Sequence, residues 1–162
     1  MLQKTEKHQY FFEVKTDWLK ANTGILSTTD VKDEIIVETP GAYIEGAGGN
    51  WSAEQLLLGA LCSSMMSTYL ALAKKKKLAV ANFQCSAIGQ VQITEGHLAF
   101  TMINLFPRVA VKAEKDLALA NEILLKTTVQ CPVANSLKSH LVQHGEVHVV
   151  PPTDHPHKNK RS

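Results

Sequence analysis

One stretch constrains the fold more than any other: Leu56-Leu57-Leu58-Gly59-Ala60-Leu61-Cys62, an unbroken apolar run inside a predicted helix. Ser52 opens that helix. Its hydroxyl can accept from the free amides of the first turn, and Gln55, three residues on, completes a capping box. From Ala53 the pattern continues to about Lys77, about 25 residues, and Lys74 to Lys77 complement the negative pole of the helix dipole. A helix that is apolar on every side must be buried on every side. A chain of 162 residues rarely encloses a helix so completely by itself, so elements of a second subunit are expected to help wrap it.

The remaining composition fits a folded domain. Hydrophobic residues make up 44% of the chain and charged ones 20%, which excludes disordered and collagen-like chains. Lys plus Arg (17) less Asp plus Glu (15) leaves +2, giving no electrostatic case for a dedicated nucleic-acid binder. Small molecules or protein partners are expected instead. Met1 to Tyr10 lacks the apolar core of a signal peptide, and no uninterrupted apolar run reaches spanning length, so a cytoplasmic protein without membrane association is expected.

Along the chain, Tyr10 to Lys15 reads as a strand, and Ile35-Ile36-Val37 as its partner beyond a turn-rich Asn22 to Asp33 segment. Pro40 to Asn50 is glycine-rich but has no G-K-[ST] ending, so it is not a phosphate-cradling loop. Phe83, Cys85, Ala87, Val91 and Ile93 alternate along a strand over Ala79 to Ile93, which turns at Glu95-Gly96 into a second over His97 to Val111. Ala113 to Gln130 has helical spacing. Pro132 then starts a short third helix reaching about Val142, Gly145 stops it, and Glu146 to Val150 closes as a strand. Residues 1–150 are expected to form one domain and 151–162 a mobile polar tail.

Three cysteines are too few and too widely spaced for a disulfide scaffold or a C-x-x-C zinc module. Cys131, at the cap of the third helix, faces unpaired amides that favour a thiolate; it is either a reactive thiol or a small buried hydrophobe. Cys62, inside the apolar block, and Cys85, on an apolar strand face, read as packing residues. Glu54 caps the dipole of the long helix and could also orient a cation. His140 and His144 are four apart on the expected third helix, and Asp154, His155 and His157 follow in the tail, yet no H-E-x-x-H occurs and no metal or cofactor is expected. Ser63, Ser64, Ser67 and Thr68 form a hydroxyl cluster without the G-x-S-x-G of a hydrolase.

The run from Pro40 through Trp51-Ser52-Ala53-Glu54-Gln55-Leu56-Leu57 to Leu61, with Cys131-Pro132-Val133-Ala134-Asn135-Ser136-Leu137 downstream, resembles the family of osmotically inducible and organic hydroperoxide resistance proteins, OsmC/Ohr. The resemblance spans about residues 10 to 150. It implies an α+β fold in which two chains intertwine, with antiparallel sheets wrapping a long central helix. It also implies reduction of organic hydroperoxides by two thiols, one in the long helix and one at the C-P motif: the first becomes a sulfenic acid, the second condenses with it to a disulfide, and an external dithiol resets the pair. In such proteins an arginine held by a glutamate assists the first thiol.

On this resemblance, Glu54 takes the glutamate's place and Cys131 that of the second cysteine. The first cysteine's place falls on Ser64, whose oxygen cannot accept an oxygen atom as sulfur does. Cys62 sits two residues earlier, rotated by about 200° on the helix. The arginine is also missing, because Arg108 and Arg161 are the only arginines and neither lies in the N-terminal region; Lys15 or Lys20 could offer charge but no bidentate fork. Two functions are therefore expected from this chain: a thiol-dependent peroxidase of oxidative-stress defence acting through Cys131 and Cys62, or a non-catalytic protein holding a small apolar ligand at the dimer interface.

Overall fold

The computed structural model describes residues 9–44 and 48–150, which form an α+β chain of two compact units, Met1–Leu57 and Leu58–Ser162. In the first unit, β1 (Lys15–Lys20), β2 (Thr23–Thr28) and β3 (Val31–Glu38) make an antiparallel three-stranded sheet. The first strand lies later than the aromatic run predicts. Trp18 pairs with Gly24 and Lys15 with Ser27, so the turn at Ala21-Asn22 fixes the register and leaves Tyr10 to Val14 beyond the last pair. The segment read as turn-rich contains β2, whose Thr23, Ile25 and Thr28 are β-branched and suit a pleated strand.

Helix α1 (Ala53–Lys75) starts as the sequence dictates. Gln55 N–H donates to Ser52 Oγ at 3.2 Å, and Ser52 N–H to Gln55 Oε1 at 2.9 Å, closing the capping box. Its far end closes where Leu78 N–H reaches Ala73 O and Lys77 N–H reaches Lys74 O, with Lys77 in the left-handed region. By length and composition α1 could cross a bilayer. Within the second unit, however, Leu61, Met65, Tyr69 and Ala73 recur at one-turn spacing and are at most 1% exposed, the mark of a helix seated on a core.

That core is a mixed sheet. β4 (Val80–Thr94) and β5 (His97–Val111) form a long antiparallel hairpin, while β6 (His140–Gln143) and β7 (Glu146–Val149) pair in parallel with successive stretches of β5. The sheet is thus not purely antiparallel. Between β5 and β6 lie a single 3-10 turn, α2 (Leu117–Gln130) and α3 (Pro132–Ser136). The third helix is shorter than expected: Leu137 is already extended, and the next residues find hydrogen-bonding partners along Met102 to Leu105 of β5. His140 and His144 consequently share no helix face.

Two apolar clusters sit against α1 in this unit. Tyr69, Ala73 and Leu78 pack with Val109, Val111, Ile123 and Leu124; Leu61 and Met65 pack with Ile103, Leu105, Cys131 and Ala134. Gly89 on β4 permits the close approach of the helix. A Cβ there would run into the Phe100 ring and come within 3.1 Å of Leu58 Cδ2. Gly89→Ala should therefore cost about 1–3 kcal/mol through overpacking, read as a lowered urea midpoint with unchanged slope; an unaltered midpoint would show that the contact is slack.

Candidate thiol site

Consecutive α-helical residues turn by about 100°, so Cys62 and Ser64 leave α1 on the two flanks of the buried stripe that Leu61 and Met65 occupy. Each flank meets a different cysteine.

On the Ser64 flank the partner is Cys131. Pro132 opens α3, and Asn135 N–H donates to Cys131 O at 3.0 Å. The Cys131 side chain makes no cap hydrogen bond. It turns inward, fully buried beside Ile103, Leu105 and Ala134, and its thiol donates to Ser64 Oγ at 3.1 Å. The third helix is only five residues long, and of the two readings of Cys131 its full burial among apolar side chains matches the small buried hydrophobe. Ser63 and Ser67 instead bond back to Ala60 O and Ser63 O and stay exposed, as helix hydroxyls commonly do.

The Cys62 flank carries the pairing that periodicity does not reveal. Cys85, on the inward face of β4, packs against the same cluster as Cys62 and lowers that thiol from 9.0 to about 7, against the opposing effect of burial, while its own Sγ donates to Ser86 O at 3.8 Å. The Cys62 thiol, burial and the nearby Cys131 sulfur raise Cys85 in turn. The two thiols therefore titrate as a linked pair, with Cys62 the one that is lowered and Cys85 the one that is raised. Both thiols are half-buried and free, and they border a cavity of about 250 Å³ with Gly59, Ser63, Met66 and Phe83.

Glu54 belongs to the first unit. Its Oε2 is buried without a hydrogen-bond partner among the described residues. The neighbouring Tyr43 hydroxyl is raised by burial first and then by the Glu54 carboxylate. Both residues border a cavity of about 610 Å³ that Trp18 also lines. Lys15 is committed to Asp17 at 2.7 Å, and Arg108 to Glu146 at 3.0 Å; Arg161 and the tail histidines lie outside the described residues. His144 Nε2 sits 2.9 Å from Asn104 Oδ1, and its ring stacks on Phe106. Among the described residues no three His, Cys, Asp or Glu side chains gather to hold a metal.

Fold and thiols together define an α+β chain whose three cysteines surround one apolar cluster. Residues 46–144 match the sequence model of the OsmC-like protein family, and the chain belongs to that family. The uncharacterized protein YmaD of Bacillus subtilis is 22% identical over 135 residues, covering 82% of this chain and 89% of that protein. An OsmC-like protein of unknown function from Vibrio cholerae has a similar fold, with a TM-score of 0.74 at 15% identity over 88% of this chain and all of the other. So does an organic hydroperoxide resistance protein OsmC from Legionella pneumophila, with a TM-score of 0.67 at 18% identity over 88% of this chain and all of the other.

Two outcomes test this geometry. In Ser64→Cys the new sulfur faces Cys131, so mild oxidation should join them, seen as one linked peptide pair and the loss of two titratable thiols; persistence of both free thiols would displace Ser64 from that seat. Alkylation of Cys62 by iodoacetamide should rise with pH, because the thiolate reacts, and should be half-maximal near pH 7. In Cys85→Ala that midpoint should move up towards 9.0, and equal midpoints in the two proteins would remove Cys85 as the cause.

Proposed function

We propose that this chain reduces organic hydroperoxides with its thiols, as a cytoplasmic homodimer of oxidative-stress defence reset by an external dithiol. The observation that carries the reading is the gathering of Cys62, Cys85 and Cys131 around one apolar cluster. A thiolate near neutral pH is the nucleophile that peroxide chemistry needs, and apolar surroundings suit the organic part of the substrate. Membership of the OsmC-like family and the hydroperoxide-resistance name of the Legionella fold neighbour support the same direction. The homodimer is supported by apolar side chains left exposed on the single chain, among them Met66 and Leu70 on α1 and Phe11, Phe12 and Trp18 in the first unit.

With cumene hydroperoxide as substrate and dithiothreitol as reductant, the wild-type protein should consume peroxide far faster than the chain in which all three cysteines are serine. Equal consumption by the two would overturn the reading.

A second reading rests on Ser64. A hydroxyl hydrogen-bonded to Cys131 leaves that flank without a two-sulfur couple, as expected of a binding protein that holds a small apolar ligand. Native mass spectrometry of the freshly purified protein separates the two. An adduct lost on denaturation favours binding, and the bare chain mass counts against it.

A further inference from the structure

We propose that Cys62 and Cys85 are a redox dithiol that cycles between two thiols and an internal disulfide, with Cys62 the attacking sulfur and Cys85 the resolving one. This rests on the hydroperoxide reading above for its oxidant, but the couple itself is defined by the geometry of the second unit.

Three observations carry it. Cys62 on α1 and Cys85 on β4 pack against the same apolar cluster of Leu61, Met65, Ile103 and Leu105. Both open onto the same cavity of about 250 Å³, whereas Cys131 is fully buried and bonded to a hydroxyl. That cavity has Met66 and Phe83 on its wall, apolar groups that suit a compact alkyl or aryl chain. Its volume lies below the ordinary range of drug-sized pockets, which favours small hydroperoxides over long lipid ones.

The chemistry balances on these two residues. The Cys62 thiolate attacks the distal peroxide oxygen, the O–O bond breaks, and Cys62 becomes a sulfenic acid, oxidised by two electrons. The departing alkoxide takes the Cys85 proton and leaves as the alcohol. Cys85, now a thiolate, attacks the sulfenic sulfur; the S–S bond forms and hydroxide leaves, taking up the proton that Cys62 had released to give water. Two thiols and one hydroperoxide thus yield one disulfide, one alcohol and one water. An external dithiol then returns two electrons and two protons by exchange. Cys62 takes the attacking role because its thiol is the one lowered, whereas Cys85 is raised.

The test is peptide mapping of the intact protein after one equivalent of cumene hydroperoxide. Lys74 to Lys77 separate Cys62 from Cys85, and Arg108 separates Cys85 from Cys131, so trypsin places each cysteine on its own peptide. The expected product is a Cys62–Cys85 linked pair. Cys62→Ala should lose peroxide consumption, and Cys85→Ala should stop after a single turnover with a Cys62 sulfenic acid that dimedone traps. A disulfide that joins Cys131 to either residue, or turnover that survives in Cys62→Ala, overturns the proposal while leaving peroxide reduction standing. If the wild type consumes no hydroperoxide at all, diamide decides separately: a Cys62–Cys85 link keeps the dithiol and discards the peroxide reading, and no link discards both.

Discussion

Burial of one helical stripe holds the second unit together. Leu61, Met65, Tyr69 and Ala73 lie on a single face of α1, and their side chains reach the sheet and the helices that follow it. Removing apolar surface from water on that scale is the dominant favourable term in folding, and it dictates where everything else goes. The Tyr69 hydroxyl, carried into the core with its ring, finds Ala120 O at 3.3 Å, so the polar tip is not left unpaired. β4 and β5 supply the floor, while α2 and α3 wall off the two halves of the stripe.

The thiols occupy the margins of that stripe. Ser64 and Cys62 are two residues apart, yet the helix sends them to opposite flanks, and each meets the cysteine that its flank happens to face. One flank holds an oxygen–sulfur hydrogen bond that cannot become a disulfide. The other holds two sulfurs that border one cavity. A single atom type at position 64 therefore leaves Cys131 facing an oxygen, and the two thiols that border a common cavity stand where the C-P motif does not point.

Much of the fold was legible in local sequence. Ser52 and Gln55 announced the start of α1, and alternation along Phe83, Cys85 and Ala87 identified the inward face of β4. The β4–β5 turn at Glu95-Gly96 was visible in its residue types. What failed were boundaries set by distant partners. Tyr10 to Val14 has strong strand propensity but lies beyond the pairs that β2 offers, and Leu137 to Gln143 looks helical until β5 captures it. His140 and His144 lost their apparent metal spacing for that reason alone. Nothing local in the sequence connects Cys85 with Cys62, which lies 23 positions away on a different kind of element.

By itself, the sequence determined that α1 forms, where it begins, which family the chain resembles, and that oxygen stands at position 64. Those are properties of neighbouring residues, of their periodicity and of side-chain chemistry. Only the tertiary structure decided which cysteine faces which. The seating of α1 on β4, permitted at Gly89 by the absence of a Cβ, brings Cys62 to Cys85, and the turn at Pro132 brings Cys131 to Ser64. Contacts between residues far apart in the chain depend on how surfaces pack, and that information lies in no single stretch of the sequence.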